Sequence, residues 1–343
     1  MRYWQYLAHR VVGMIASLFG LSIIIFVVSR VLPGNPARMA LGPMATDQQV
    51  HTLTHQMGLD QPLPLQYLHY LTGLLSGDLG MSLTTKNPVA QDLAHYLPAT
   101  LELVIVSMVL TVVFGVLLGV VAATHKDGSI DNFSRVLAFI SVSVPGFFIG
   151  IILQLVFGYF LQWLPIVGRI ANVYQGTFTH VTGFFLVDTL LAGNLGAFGS
   201  VVIHLLLPAV SLSLISMGQV MRITRSSMID FQNKEFIEAE RGFGLPNWLV
   251  TYKYTLKNAF TPTLTILGLL AASLLGNAFL IELVYSWPGM ASYGVNAIMS
   301  NDFNSIVGVT MVIGVAFVVS NLVVDVLQGT IDPRVRLQIE GDS

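Results

Sequence analysis

The sequence predicts an all-α polytopic membrane protein with six transmembrane helices. Its 343 residues are 54% hydrophobic and only 10% charged, and their mean hydropathy is +0.73. A soluble protein of this length would need a far more polar surface. The net charge of −2 is too close to zero to favour a nucleic-acid partner. Because the chain has no cysteine, disulfides, thiolate catalysis and cysteine metal sites are excluded.

Six apolar stretches are long enough to cross the ~30 Å hydrocarbon core, which takes about 20 helical residues. They are Val11–Ser29, Leu103–Thr124, Val136–Leu164, Val201–Met221, Ala259–Ile281 and Ile306–Val324. Pro145 breaks the third stretch and Pro208 interrupts the fourth, so we expect both helices to be kinked. The first stretch ends in Arg30 and LPGNP rather than a small-residue cleavage site, which indicates an uncleaved span.

Lysine and arginine are distributed unevenly between the two sides of these spans. With a cytoplasmic N-terminus, the inner residues are Arg2, Arg10, Lys126, Arg135, Arg222, Arg225, Lys234, Arg241, Lys253, Lys257, Arg334 and Arg336. The outer residues are Arg30, Arg38, Lys86 and Arg169. This bias of twelve against four predicts that both termini are cytoplasmic.

The spans divide the chain into four segments. They are the N-terminus with the first span (1–31), an external loop (32–100), a five-helix core with a cytoplasmic loop at 222–260 (101–331), and a cytoplasmic tail (332–343). Apolar residues at helical spacing, followed by the turn GDLG at 77–80, predict short helices in the external loop. We expect these helices to pack on the outer mouth of the bundle, and a second outer segment at 165–200 to lie along the membrane interface.

One cytoplasmic stretch is unusually charged for this chain, namely EFIEAERGFGLPN at 235–247. Its helix signals are Asn233 as N-cap, Glu235 and Glu238 in the first turn, and Gly242, Gly244 and Pro246 as stops. Its apolar contact residues are Phe236, Ile237, Ala239 and Phe243. These signals predict a helix of about three turns. It would either dock into a groove on a soluble partner or lie on the lipid headgroups.

Three carboxylates, Glu102, Glu282 and Asp325, lie at or inside predicted span ends. Charges there are costly and tend to face the bundle or a cavity. The three residues therefore either line or gate a pathway, or pair with neighbouring helices and anchor helix ends. Glu282 is the candidate for an outer gate, because the turn SWPG at 286–289 lies beside it.

Other polar residues near the spans have simpler interpretations. We expect Asn277 and Gln219 to form hydrogen bonds between helices, with pathway lining as the alternative. Arg222 and Arg225 end the fourth span, and we expect them to anchor it to the inner headgroups. His204 is expected to be a hydrogen-bonded residue of the bundle.

Two further patterns concern packing and metal binding. Gly115-xxx-Gly119 and Gly146-xxx-Gly150 predict close helix packing, within the chain or against another subunit. His51 and His55 share a helix face, but two histidines do not complete a metal site, so we interpret them as a surface pair.

The chain resembles the dipeptide/oligopeptide/nickel permease family of ABC importers in a series of blocks that run in order along it. They are LPGNP (32–36), GDLGMS (77–82), LPATLEL (97–103), RITRSSM (222–228), TLKNAFTPTLT (255–265), ELVYSWPGM (282–290) and NLVVDVLQGTIDPRVR (321–336). Glu238, Ala239 and Gly244 resemble that family's EAA loop, the coupling helix that fits a cleft in the ATPase subunit. The departures are Asn35 for Asp, Glu240 for Ala and Lys257 for Pro. A large loop after span one is similar to that of the first of the two paired permeases.

The resemblance implies a type I ABC-importer permease fold in the inner membrane of a prokaryote. The implied partners are a second permease, two ABC ATPases, an external solute-binding protein and membrane lipid, with no nucleic acid. The coupling candidates are Glu235, Phe236, Glu238, Ala239, Arg241 and Gly244, and the pathway or gate candidates are Glu282, Trp287, Asn277, Gln219 and Asp325. The cargo stays open among dipeptides, oligopeptides, glutathione, sugars and metal chelates.

The chain itself lacks the means to hydrolyse ATP. A P-loop places a glycine before its lysine, and none of the five lysines here follows a glycine. We therefore expect no catalytic, metal or cofactor residue in this chain, with ATP and Mg²⁺ bound by the partner ATPases. The alternative is an ion-coupled secondary transporter or channel, although only His204 among ionisable residues lies well inside a span. The sequence has no motif of a membrane-embedded enzyme.

Overall fold

The computed structural model describes residues 3–31, 36–42, 44–56 and 58–331. In this part of the chain the regular structure is helical, and a single β-bridge joins Met81 to Pro88. The α-helices are α1 (Tyr3–Val31), α2 (Pro36–Leu41), α3 (Asp47–Gln56), α4 (Leu63–Ser76), α5 (Val89–Thr124), α6 (Ser129–Ser143), α7 (Gly146–Leu153), α8 (Phe185–Leu191), α9 (Leu195–Gln232), α10 (Glu235–Gly242), α11 (Asn247–Leu249), α12 (Leu256–Val284), α13 (Met290–Met299) and α14 (Phe303–Ile331). Two π-helical segments (Gln154–Phe160 and Val250–Thr255) and a 3₁₀ turn (Asn172–Tyr174) complete the set. Residues 32–35 of the LPGNP block, and the predicted tail beyond Ile331, lie outside the described residues.

The long helices agree with the predicted spans. Five of them, α1, α5, α9, α12 with the short segments before it, and α14, are long and apolar enough to cross a membrane. The sixth span is formed by α6 and α7 together with the π-helical segment after α7, which pass the same test as a pair. The predicted all-α fold with six spans is therefore confirmed by five long helices and one broken pair.

The prolines act differently from one another. At Pro145 the chain turns by 107° between α6 and α7, so the third span is broken rather than merely kinked. Pro208, by contrast, lies inside α9, which continues through it to Gln232. Each internal proline removes one backbone hydrogen bond, which a helix held on several sides by neighbours tolerates. The fourth span is therefore continuous through Pro208, and the kink predicted there stays a prediction.

Two spans begin well before their apolar stretches. α5 starts at Val89, directly after Pro88, and runs through Pro98 and Glu102 into the stretch predicted from Leu103. The boundary expected between residues 100 and 101 therefore falls inside a continuous helix. Similarly, α9 starts at Leu195, where the Asn194 side chain accepts a hydrogen bond from the Ala197 N–H at 3.0 Å.

Helix α9 lies at the centre of the bundle and contacts α5, α6, α7, α8 and α12. Small residues allow this close packing. A Cβ on Gly119 would lie 2.7 Å from Thr224 Cβ, and a Cβ on Gly115 would lie 2.8 Å from Val220 Cγ1. A Cβ on Gly146 would likewise meet Ile215 of α9. The glycine pairs are therefore packing seams within the chain, which settles the alternative left open by the sequence.

The main hydrophobic core joins α5, α9 and α12. Its fully or nearly fully buried members include Leu103, Leu212, Leu274, Ile281 and Trp287. Outside this core, α1 packs mainly on α14 and leaves much apolar surface uncovered. Val12, Ile15 and Ile24 expose 62–64% of their surface, as expected for a helix in contact with lipid.

The loop region after α1 forms the short helices α3 and α4, as predicted, and its GDLG turn places Gly77 and Gly80 at φ of 78°. Asp302, which precedes α14, fixes the segment that follows this turn. Its carboxylate accepts hydrogen bonds from the Ser82 hydroxyl at 2.6 Å and the Leu83 N–H at 2.7 Å. The loop region is thus attached to the start of the last span.

Candidate functional site

The charged stretch forms α10, which connects the end of α9 to the segment leading into α12. The predicted N-cap at Asn233 is wrong, because α9 runs on to Gln232 and Asn233 closes that helix instead. Lys234 precedes α10 with extended backbone and provides no side-chain cap. The helix has eight residues rather than three turns, and Gly244, with φ of 77°, reverses the chain just beyond it.

One side of α10 packs on the bundle, and the other side is exposed. Ile237 is completely buried and is the internal anchor of the helix, which contacts α9 and the π-helical segment before α12. The predicted apolar set therefore splits, because Phe236 is 44% exposed and Phe243 is 83% exposed. The other predicted coupling residues, Glu235, Glu238, Ala239, Arg241 and Gly244, are all exposed.

Two aromatic residues that sequence reasoning missed extend the exposed surface of this region. Trp248 and Tyr252 follow α10 and expose 64% and 52% of their surface. The available signal was the presence of aromatic residues in a polar loop. Exposed aromatic rings beside charged side chains are typical of a contact surface for another protein. We call residues 233–252 the coupling segment.

An ion pair ties the lower part of α9 to α6, just before the coupling segment. Arg225 donates to Asp131 from Nη2 at 2.6 Å and also from Nε, and Asp131 is completely buried. Arg135 Nη2 lies 3.7 Å from the same carboxylate. The expectation that Arg225 anchors the span to headgroups is therefore wrong, because its guanidinium forms an ion pair with Asp131 in the first turn of α6. Arg222 is exposed, and its predicted headgroup role stays a prediction.

At the opposite end of α12, Glu282 is completely buried beneath a tight turn. It accepts hydrogen bonds from the Thr100 hydroxyl at 2.5 Å and the Ala291 N–H at 2.8 Å. A Cβ on Gly289 would lie 2.4 Å from its Oε1, so the turn approaches the carboxylate as closely as glycine permits. We call residues 282–291 the WPG turn.

Trp287 locks the WPG turn onto α5. Its side chain is completely buried, and its indole N–H donates to the Ala99 carbonyl at 2.9 Å. Together with the Glu282 contacts, this bond joins α5, α12 and the start of α13. These contacts match the interpretation of helix pairing, and a gate role for Glu282 and Trp287 stays a prediction.

Glu102 forms a second buried polar contact near the WPG turn. Arg169 donates to its Oε2 from Nη2 at 2.6 Å and Nε at 2.9 Å, and the Leu186 N–H donates to its Oε1 at 2.7 Å. The guanidinium also lies 3.7 Å from the centre of the Phe185 ring. Burial lowers the pKa of Arg169, although the adjacent Glu102 charge opposes that shift. The pairing interpretation of Glu102 is confirmed.

Comparisons with known proteins decide the family. Residues 115–337 match the model of the binding-protein-dependent transport system inner membrane component, and residues 3–104 match the N-terminal model of the same components.

The chain belongs to the family of binding-protein-dependent transport system inner membrane components.

Full-length relatives agree with this assignment. The chain is 39% identical to a protein described as a probable D,D-dipeptide transport system permease protein of Escherichia coli K12, over 98% of both chains. It is 36% identical to a dipeptide transport system permease protein of Alkalihalophilus pseudofirmus, over 96% of this chain and 99% of the relative. It is 33% identical to a glutathione transport system permease protein of Escherichia coli O6:H1, over 97% and 99%. The predicted family, type I permease fold and role as a transmembrane permease subunit of an ABC importer are confirmed.

The remaining pathway candidates of this permease lie in different environments. Asp325 of α14 pairs with Arg10 of α1 at 3.2 Å, which matches the pairing interpretation. Asn277 is exposed and Gln219 half-buried, and neither side chain forms a hydrogen bond within the described residues. The expected hydrogen bonds between helices are therefore not formed among the described residues, and pathway lining by these two amides stays a prediction.

The histidines of the permease behave as predicted where the structure tests them. His204 Nδ1 lies 2.7 Å from the Ser200 carbonyl, one turn earlier in α9. His51 and His55 are both exposed, as expected for a surface pair, and His55 Nε2 lies 3.8 Å from the Asp60 carboxylate. Among the described residues, no group of three or more potential ligands could hold a metal ion.

Proposed function

We propose that this permease pairs with a second permease to form the pathway of a peptide importer, and that the coupling segment receives the motion of a cytoplasmic ATPase. The observation that carries the proposal is the one-sided attachment of α10. A buried Ile237 fixes the helix to the bundle, while its charged and aromatic side chains face outward. A helix held in this way can fit a groove on a partner and transmit displacement to the bundle.

The geometry of the long helices supports transmission of that displacement. α9 precedes α10 and contains 38 residues, which at 1.5 Å per residue corresponds to roughly 57 Å. α12 follows the coupling segment and ends at the WPG turn. The Arg225–Asp131 pair connects α9 to α6. A shift of α10 would therefore move both long helices and the turn at their far end as a packed unit.

The energy source and the orientation belong to the same proposal. Because no lysine follows a glycine, ATP and Mg²⁺ bind to the partner ATPases rather than to this chain. The excess of lysine and arginine on the side of the coupling segment supports a cytoplasmic location for that segment and for both termini. The solute-binding protein then meets the opposite side.

We propose short peptides as the cargo class. The relatives reported above are named for dipeptides, D,D-dipeptides and glutathione, all of which are short peptides or peptide-like molecules. The external binding protein, a separate chain, would choose among them.

Uptake into vesicles tests the proposal. The permease is purified with its candidate partner permease, ATPases and binding protein, and labelled dipeptide uptake is measured with ATP inside and, separately, with only a proton or sodium gradient. The expected result is uptake that requires ATP and the binding protein. Gradient-driven uptake by the isolated chain would overturn the importer role and favour the secondary-transporter alternative.

A further inference from the structure

A groove lies between α6 and α9, at the end of the bundle that carries the coupling segment. Its volume is about 550 Å³. Its lining includes three arginines (Arg135, Arg222 and Arg225) at one end, and mainly apolar side chains (Phe139 and Val142, with Ser143 beside them) at the other. The proposed transport function uses the Arg225–Asp131 pair at the edge of this groove but assigns no ligand to the groove itself.

The basic end of the groove carries uncompensated positive charge. Arg225 pairs closely with the buried Asp131, and Arg135 shares that carboxylate at 3.7 Å and donates a hydrogen bond to the Asn132 Oδ1. Arg222 is exposed and forms no ion pair among the described residues. Three arginines against Asp131 and the neighbouring Asp127 leave a formal charge of +1 at this end. This arrangement favours an anionic ligand with a phosphate-like head.

The other end of the groove is apolar and lies further along α6. Phe139 exposes 74% and Val142 49% of their surface, one and two turns beyond Arg135. Both helices belong to candidate membrane-spanning segments, and Phe139 and Val142 lie further from the N-terminus of α6 than Arg135 does. A free anion needs no such apolar wall, whereas an amphiphile with a charged head matches both ends. Basic pockets between spans near the membrane surface are the usual sites for anionic headgroups.

We propose that this groove binds one anionic phospholipid, with its phosphate against Arg135 and Arg222 and an acyl chain along Phe139 and Val142. The assignment to the inner leaflet rests on the proposed orientation. Because Arg222 and Arg225 lie on α9 directly before the coupling segment, the bound lipid would contact the helix through which that segment is connected to the bundle.

The absence of cysteine allows a site-specific test. A Phe139→Cys variant is labelled with a fluorophore and reconstituted, as the assembled transporter, in phosphatidylcholine nanodiscs containing either brominated phosphatidylglycerol or brominated phosphatidylcholine of the same chain length. The expected result is quenching at a several-fold lower mole fraction of the brominated phosphatidylglycerol. Adding Arg135→Gln and Arg222→Gln should raise the phosphatidylglycerol required by on the order of tenfold. This readout needs neither ATP nor cargo, so its failure is separate from failure of the transport proposal.

Three controls make the test decisive. A label at Leu117 of α5, which is 51% exposed elsewhere, should show no preference between the two lipids. Lys253→Gln with Lys257→Gln removes two charges outside the groove and should leave the preference at Phe139 intact. Native mass spectrometry of the unlabelled transporter should retain phosphatidylglycerol in the parent and lose it in the double arginine variant. Equal quenching by both lipids, no quenching because another subunit covers the groove, or displacement by millimolar inorganic phosphate would each overturn the proposal.

Discussion

The coupling segment and the WPG turn lie at opposite ends of α12 and are built in opposite ways. In the coupling segment, Ile237 is the one buried residue of α10, and the other side chains of that helix are largely exposed. In the WPG turn, Glu282 and Trp287 are completely buried, and their hydrogen bonds connect α12 to α5 and α13. The first region can change its partner without disturbing the bundle, whereas the second determines how three helices meet. Mutations should therefore separate docking from folding along a single helix.

The largest loss of stability is expected at the Glu102–Arg169 pair beside the WPG turn. Arg169→Met leaves the Glu102 carboxylate buried without its counter-ion, which typically costs about 3–5 kcal/mol. We expect the melting temperature of the detergent-solubilised chain to fall strongly. Fluorescence-detected size exclusion after heating measures it. Combining Arg169→Met with Glu102→Gln removes the stranded charge and should recover part of the loss. An unchanged transition in the single variant would show that the pair does not hold the bundle.

A smaller loss is expected from crowding the WPG turn. In Gly289→Ala, the added Cβ would lie 2.4 Å from Glu282 Oε1, and that carboxylate is already fixed by Thr100 and Ala291. Overpacking of this kind typically costs about 1–3 kcal/mol. Gly276→Ala, in α12, is the control, because nothing lies within 4 Å of its Cβ position. Equal melting of the two variants would contradict the close approach described here.

In the coupling segment, substitution should affect docking while the bundle stays folded. Gly244→Ile places a β-branched residue at φ of 77°, a strain of about 1–2 kcal/mol confined to the exposed end of α10. We expect the co-purified ATPase to fall by on the order of tenfold, which corresponds to ~1.4 kcal/mol of binding free energy. Glu238→Arg should weaken docking in the same direction by reversing an exposed charge.

The control for that experiment is Gly242→Ala, because Gly242 has no positive φ and its Cβ position is open. This variant should retain the ATPase at the parent level. Wild-type recovery of the ATPase with both Gly244→Ile and Glu238→Arg would refute the coupling role of α10.

The smallest effect concerns pH and lies outside both regions. Although burial alone would raise the pKa of Asp302, hydrogen bonds from Ser82, Ser305 and the Thr84 N–H hold it below its usual range. A carboxyl with a lowered pKa in the folded state stabilises above its unfolded pKa of about 3.9, and that contribution is lost as the pH falls. The melting difference between the parent and Asp302→Asn should therefore be constant from pH 6 to 8 and shrink below about pH 4. A difference that grows on acidification would contradict the shift.

The sequence predicted structural features that depend on local composition better than features that depend on contacts between distant residues. Apolar stretches located every span, because contact with lipid requires a locally apolar composition. They missed the first turns of α5, because Asp92 and His95 make that part of the helix polar. Glycine and proline marked the end of α10 correctly. Its start was misplaced because the extension of α9 to Gln232 depends on packing against α6 and α12 rather than on the residues near Asn233.

The buried polar contacts were only half predictable. The cost of a charge near a span drew attention to Glu102, Glu282 and Asp325, and each of them is paired or hydrogen-bonded in the structure. Their partners could not be named, because Arg169 lies 67 residues from Glu102 and Thr100 lies 182 residues from Glu282. Asp131 was overlooked because it lies just outside the predicted third span, and the role of Arg225 was misjudged as a consequence.

Photo-crosslinking from the exposed face of α10 tests the central claim most directly. A benzoylphenylalanine replaces Phe243, which is 83% exposed, in membranes that contain the whole transporter, and the same group at Met44, which is 95% exposed, is the control. The account predicts that light captures the ATPase subunit from position 243 and not from position 44. Capture of phospholipid alone at position 243 would contradict it, because α10 would then lie on the membrane surface instead of in a partner.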